Sequence, residues 1–301
     1  MKAVQFDAFG DADVLGVAEV PAPHAGPGQV RIAVKAASVN PIDWKVRRGY
    51  MEQVYPTPLP AVIGSDAAGV VDEVGEGVEG FAVGDEVFGA GSAATAEFAV
   101  LDHFAVKPAG LPFAEAAGYP GVTETVVRVF RLLDVKDGQT IVVNGAAGGV
   151  GAAAVQFAVA RGATVIGTAS EGNHEYLRSL GAVPTTYGAG LVDRVRALAP
   201  QGVDVALDTA GQGAVADLIE LTGVPANVVS IADFAAPKLG ARVTTGADER
   251  GFESLGQAAA LFEDGRFTLP VARTFTFDQA AEAHRESEAG HVRGKLVILN
   301  G

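Results

Sequence analysis

Apolar and polar positions alternate over the first hundred residues and then change period. Residues 29–39 place Val30, Ile32 and Val34 on every second position behind a Gly26-Pro27-Gly28 turn, which predicts a half-buried strand. Residues 67–74, 85–88 and 95–100 read as further short strands. Gly75, Gly77, Gly80, Gly84, Gly89 and Gly91 separate them, and residues 1–9 alternate in the same way. Short strands with glycine punctuation predict a small barrel or partly open sheet. From Phe113 the period becomes helical, through Glu115, Ala116 and Val126 to Leu132.

Strands and helices then take turns. The pattern predicts strands at 140–144, 164–168, 185–187, 204–207 and 228–232, with helices at 149–161, 173–180, 191–198 and 213–221. This rhythm implies an α/β fold with a doubly wound parallel sheet. Residues 238–245 are expected to form an edge strand of that sheet, able to pair with a second copy. The tail reads as helix 254–262, strand 273–277, helix 278–288 and strand 295–299, the last rejoining the first domain.

Between Thr140 and Gly151 the chain reads Thr-Ile-Val-Val-Asn-Gly-Ala-Ala-Gly-Gly-Val-Gly, a strand running into a glycine-rich turn and then a helix. That order brings free helix N–H groups against a pyrophosphate and predicts a dinucleotide cofactor. Aligned with G-x-G-x-x-G, the turn is Ala146-Ala147-Gly148-Gly149-Val150-Gly151. Gly148 would allow close phosphate approach and Gly151 close helix–strand packing. At the tip of the second strand, where an NAD-preferring fold carries Asp or Glu, stands Ser170, which accommodates a 2′-phosphate; Glu171 follows it. Asn173, His174 and Tyr187 are candidates for an adenosine-phosphate pocket, His174 reading equally as a solvated first-turn residue, and NADP(H) is the expected cofactor.

Composition narrows the chemistry. The 301 residues are 49% apolar, enough for two cores, and carry 22 basic against 36 acidic residues, a formal charge of −14. An acidic surface disfavours nucleic acid and anionic membrane as partners. No run is apolar enough to span a bilayer, and the N-terminal segment lacks a signal peptide's apolar core. The chain has no cysteine, which removes disulfides, thiolate zinc sites, cysteine nucleophiles and Fe–S clusters, and fits a cytoplasmic protein. His24, His103, His284 and His291 form no ligand-spaced cluster and read as structural or exposed.

Several motifs occur together in order: Ser38-Val39-Asn40-Pro41-Ile42-Asp43, Ile63 to Val71, Val83-Gly84-Asp85-Glu86-Val87, Ala146 to Gly151, Asp208-Thr209-Ala210-Gly211, and Gly290 to Lys295. With them the chain resembles, over nearly its full length, the zinc-free quinone oxidoreductase branch of the medium-chain dehydrogenase/reductase superfamily. The resemblance implies a GroES-like catalytic domain from residues 1–117 and 264–301, a Rossmann domain at 118–263, and a homodimer. Zinc-dependent relatives place Cys, then His-Glu, where this chain has Asn40 and Ser65-Asp66. Without Cys or a suitable His pair no tetrahedral catalytic zinc site is apparent, and zinc-assisted alcohol oxidation is disfavoured.

The resemblance also assigns residues. Asn40 would donate to a substrate carbonyl as negative charge develops; its bland alternative is a cap on the turn before Pro41. Asp43 would orient that loop, and Trp44 would wall a planar substrate or fill core. The family's tyrosine position holds Met51, leaving Tyr50 or Tyr55 to protonate or stack on the substrate. Thr123 is expected at the nicotinamide end, or as a helix N-cap, with the loop from Ile231 to Phe234 receiving the carboxamide. Lys295 would reach the cofactor phosphates or form a surface ion pair. The expected activity is NADPH-dependent, metal-free hydride transfer to a quinone or activated enone. The alternatives are a 2-enoyl-thioester or alkene reductase, and a silent NADPH-binding sensor or structural protein.

Overall fold

The computed structural model describes residues 1–246, 250–290 and 292–300. The chain forms two compact units, one from Met1–Gly121 with Phe252–Gly301, the other from Val122–Gly251. The helix at 254–263, which the family resemblance grouped with the Rossmann segment, falls in the first unit.

The first unit begins with β1 (Lys2–Phe6), β2 (Gly16–Glu19), β3 (Val30–Val39), α1 (Pro41–Arg47), β4 (Ala61–Val62), β5 (Asp66–Val74), β6 (Glu86–Ser92), β7 (Phe98–Val106) and α2 (Phe113–Ala116). Strand β3 pairs with β5 on one side and with β7 on the other, while β5, β6 and β7 run as a meander. Those pairings close a small barrel rather than leave an open sheet. Val30, Ile32 and Val34 point into it with Val71, Val87 and Leu101, as their alternation requires. Past a register shift between Val34 and Ala36, the strand is buried on both faces.

Helix α3 (Tyr119–Leu133) carries the chain into the second unit. There β8 (Thr140–Asn144), α4 (Gly149–Ala160), β9 (Thr164–Thr168), α5 (His174–Ser179), β10 (Val183–Thr185), α6 (Leu191–Leu198), β11 (Val205–Asp208), α7 (Val215–Thr222), β12 (Val228–Ser230) and β13 (Arg242–Val243) follow in turn. The sheet is wholly parallel, in the order β10-β9-β8-β11-β12-β13. Counted from β8 this is 3-2-1-4-5-6, the doubly wound dinucleotide-binding order.

The chain returns to the first unit through α8 (Ser254–Glu263), β14 (Val271–Phe275), α9 (Ala280–Ala289) and β15 (Lys295–Leu299). Strand β15 lies antiparallel on the C-terminal half of β3, pairing Leu296 with Val39 and Leu299 with Ala36.

Three expectations need correction. The edge strand expected at 238–245 shrinks to Arg242–Val243, because Ala236–Leu239 winds into a 3-10 turn around Pro237, which has no N–H for a ladder. The strand expected at 185–187 ends at Thr185, leaving Tyr187 in a loop. The turn at Asn40 opens a helix, with Pro41 pre-setting the first helical φ.

Candidate functional site

The glycine turn of the second unit is built by two packing constraints. Gly145 leaves β8 with φ +78°, and the next residue, Ala146, is fully buried with its N–H on the Thr168 carbonyl at 3.0 Å. A Cβ on Gly151 would sit 2.2 Å from the Gly145 oxygen, so helix and strand tolerate nothing larger there. A Cβ on Gly148 would meet only the Gly145 oxygen, at 3.5 Å. The packing of the protein itself therefore does not demand glycine at 148.

Gly148 is the N-cap of the 12-residue α4, and the first helical N–H bond there runs from Ala152 to the Gly148 carbonyl at 2.8 Å. The amides of Gly149, Val150 and Gly151 have no acceptor within the helix. With Ala147 and Gly148 leading into them, these donors and the open space over Gly148 fit a pyrophosphate.

The other nucleotide candidates divide. Asn173 Nδ2 donates to Ser170 Oγ at 3.1 Å, so these two share the tip of β9. His174 opens α5, and its Nε2 is buried with no partner among the described residues. Tyr187 is 54% exposed, on a loop whose carbonyls at Thr186, Tyr187, Gly188 and Ala189 accept from Arg194. Ile231 donates its N–H to the Asp208 carbonyl at 3.0 Å. Thr123 is fully buried one turn inside α3, so it is not an N-cap.

The first unit gathers a buried polar group. Asn40 caps α1: its N–H donates to Asp43 Oδ2 at 2.7 Å, one half of a capping box. Its side chain is committed at both ends. Nδ2 donates to Asp66 Oδ2 at 2.8 Å and to Ser38 Oγ at 3.3 Å, while Oδ1 accepts from Lys295 Nζ. Asp66 Oδ2 also accepts the Gly121 N–H at 3.0 Å. The expected free amide of Asn40 is therefore a bridge between an ammonium and a carboxylate. Lys295 is 4% exposed, so the surface ion pair does not occur and its amine points onto Asn40.

Burial sets the charges of this group. It pushes the Asp43 carboxyl up to about 7, with the Asn40 N–H opposing. It also raises Asp66, opposed by Lys295 and Asn40, and lowers Lys295, opposed by Asp66 and Asp43.

The tyrosines lie differently. Tyr50 is 67% exposed and meets the half-buried Trp44 edge-on at 6.4 Å, while Tyr55 is half-buried and Met51 is buried. Of the histidines, His24 is exposed beside Glu73, His103 stacks on Phe252, and His284 is buried; His291 lies outside the described residues. Among the described residues no group of three His, Asp or Glu side chains is placed to hold a metal, and no helix is long and apolar enough to cross a membrane.

One set of residues escaped the sequence reading. Strands β9, β8, β11 and β12, adjacent in the sheet, end in Thr168, Asn144, Asp208 and Ser230, all buried. The signal was present as an apolar run closed by one polar residue in TVIGT, TIVVN, VALD and VVS.

Comparison with known proteins agrees with this architecture. The alcohol dehydrogenase GroES-like domain matches residues 26–132, and the zinc-binding dehydrogenase family matches residues 180–298. The chain is 33% identical to 2-methylene-furan-3-one reductase of Solanum lycopersicum, over 99% of this chain and 79% of the reductase. It is 38% identical to pikromycin polyketide synthase component PikAII of Streptomyces venezuelae over 94% of its own length, and spans 8% of that synthase. The Escherichia coli quinone oxidoreductase complexed with NADPH matches it with a TM-score of 0.85 at 25% identity, covering 100% of both chains. The barrel is a GroES-like domain and the parallel sheet a Rossmann-type domain. Domain matches on both segments and a relative above 30% identity along the whole chain establish that it belongs to the medium-chain dehydrogenase/reductase superfamily, with quinone oxidoreductases among its structural neighbours.

Proposed function

We propose that this protein is an NADPH-dependent oxidoreductase that reduces a quinone or an activated enone without a metal. The observation that carries the reading is the β8–α4 turn, where three helix amides and the space over Gly148 fit a pyrophosphate. The E. coli relative holds NADPH, and the tomato relative is a reductase of a conjugated furanone by name. Ser170, in place of an acidic residue, favours the 2′-phosphate.

NADPH, when bound, supplies the hydride. The chain's own part is binding and orientation: the amides of Gly149, Val150 and Gly151 would hold the phosphates, and Ser170 with Asn173 would meet the adenosine ribose. Asn40 holds the Lys295 ammonium in register with Asp66 rather than donating its own amide to substrate. Tyr50 and Tyr55 are the candidates for protonating the reduced product. A conjugated carbonyl already spreads the developing charge, so positioning suffices and no Lewis acid is required. The absence of cysteine, with Asn40 and Ser65-Asp66 at the family's zinc-ligand positions, supports the same reading.

The test is NADPH oxidation with a simple quinone in the presence and absence of EDTA. Activity that survives chelation is the expected result, and its loss on chelation overturns the metal-free account. Tight NADPH binding without turnover across quinones and enones would instead indicate a silent sensor. The match to a polyketide synthase segment favours a second reading, reduction of a 2-enoyl thioester. A short enoyl-CoA assayed beside the quinone separates the two. We also propose a homodimer through the outer edge of β13, to be checked by sedimentation.

A further inference from the structure

Four side chains form one continuous hydrogen-bonded row across the C-terminal ends of four neighbouring strands, and its polarity follows from the backbone. Ser230 Oγ accepts the N–H groups of Ala232 at 3.1 Å and Asp233 at 2.8 Å. Those two bonds fill the hydroxyl's lone pairs, so its proton goes to Asp208 Oδ2, at 2.7 Å. Asp208 Oδ1 accepts the N–H of Ala210 at 3.1 Å, that of Gly211 at 2.9 Å, and Asn144 Nδ2 at 2.9 Å.

With its nitrogen committed to Asp208, Asn144 turns its oxygen toward Thr168, which donates to it at 2.6 Å. Thr168 Oγ1 is then the acceptor for the Gly145 N–H, at 3.1 Å. Every donor in the row runs toward Asp208, which accepts at both oxygens. Asp208 is fully buried and has no cationic partner among the described residues. A carboxylate in that setting is held by hydrogen bonds alone.

The amides fixed by this row lie in three separate loops: the glycine turn at Gly145, the loop at 210–211 after β11, and the loop at 232–233 after β12. All three lie at the carboxyl ends of parallel strands, the side on which such sheets bind ligands. We propose that Asp208 is a positioning residue that orients these three loops together for the dinucleotide. This inference rests on the cofactor reading above.

An amide at this position has no satisfactory orientation. Turned one way, its NH2 faces the already saturated Ser230 hydroxyl; turned the other, it faces three N–H donors.

Three variants test the inference: Asp208→Asn, Thr168→Val and Ser230→Ala. Backbone hydrogen exchange is followed in the nucleotide-free protein, and NADPH binding by its fluorescence. Asp208→Asn is expected to speed exchange at Gly145, Ala210, Gly211, Ala232 and Asp233 alike, and to weaken NADPH binding at least tenfold. Its KM for NADPH should rise while that for the quinone stays unchanged. Thr168→Val should loosen only Gly145, and Ser230→Ala only Ala232 and Asp233, each with a smaller loss of affinity.

Faster exchange confined to Ala210 and Gly211 in Asp208→Asn overturns the inference, as does wild-type NADPH affinity in that variant. If Asp208→Asn does not fold, unchanged affinity in both folded outer variants overturns it. Absence of NADPH binding by the wild-type protein defeats the cofactor reading instead, and the exchange pattern still decides whether Asp208 orders the three loops.

Discussion

Lys295 Nζ donates to Asn40 Oδ1 across 255 positions of sequence, and the same asparagine passes its own N–H to Asp66. Asn40 thus sits between a buried ammonium and a buried carboxylate and makes them one electrostatic unit.

Removing the cation breaks that unit. Lys295→Met leaves Asp66 and Asp43 buried without a counter-charge, and the expected loss of stability is about 3–5 kcal/mol. Adding Asp66→Asn to Lys295→Met should recover part of it, because one orphaned charge is gone. Urea unfolding of the two variants and the wild type gives the comparison; equal losses in both variants would refute the coupling.

Asp43 makes stability depend on pH in a defined direction. Its folded value of about 7 lies above the ordinary carboxyl range, so the folded state binds the proton more tightly than the unfolded one. Its contribution is full below about pH 4 and is lost as pH rises through 7. His284 acts in the opposite sense: burial and the Arg47 charge lower it to about 3, so its contribution is lost as pH falls below about 6.5. The test is therefore a difference. Between about pH 4 and 7, the gap in thermal midpoint between wild type and Asp43→Asn should shift steadily in the variant's favour as pH rises. A constant gap would refute it.

The two turn glycines should fail in different ways. Gly151→Ala forces a Cβ against the Gly145 oxygen and is expected to lower the thermal midpoint. Gly148→Val adds a Cβ that meets only the Gly145 oxygen, at 3.5 Å, and should fold with a near-wild-type midpoint, yet lose NADPH affinity by at least roughly tenfold. Retained affinity in the folded Gly148→Val protein would remove the phosphate from this turn.

On the proposed reading, cofactor choice turns on the tip of β9. Ser170→Asp should lower the ratio of kcat/KM for NADPH over NADH by roughly tenfold or more, since an acidic group suits a 2′-hydroxyl and repels a 2′-phosphate. Parallel initial-rate measurements with both donors settle it.

Much of this architecture is legible in the chain because local chemistry and tertiary setting agree. Thr140–Asn144, Thr164–Thr168, Leu191–Leu198 and Lys295–Leu299 have the bounds that apolar runs and turn residues predict. The segment around Pro237 departs because one missing N–H outweighs a β-like pattern. The polar groups are harder to read. Lys295 and Asn40 meet only because β15 lies on β3, and no local pattern announces a contact over that separation. The row that converges on Asp208 needs the strand order before its four members become neighbours.

The first unit is also discontinuous, with all of Val122–Gly251 threaded between its two parts. Its strand β15 contributes the Lys295 ammonium of the buried group, so Asp43 and Asp66 lack that counter-charge until the returning segment docks. The inserted unit is continuous and draws its sheet from local βαβ crossovers, whereas the pairing of β15 with β3 is a closure of very long range. On the ribosome this sets an order of events. The parallel sheet can form while the chain is still being made, and the two buried carboxylates of the first unit gain their cation only once β15 has followed.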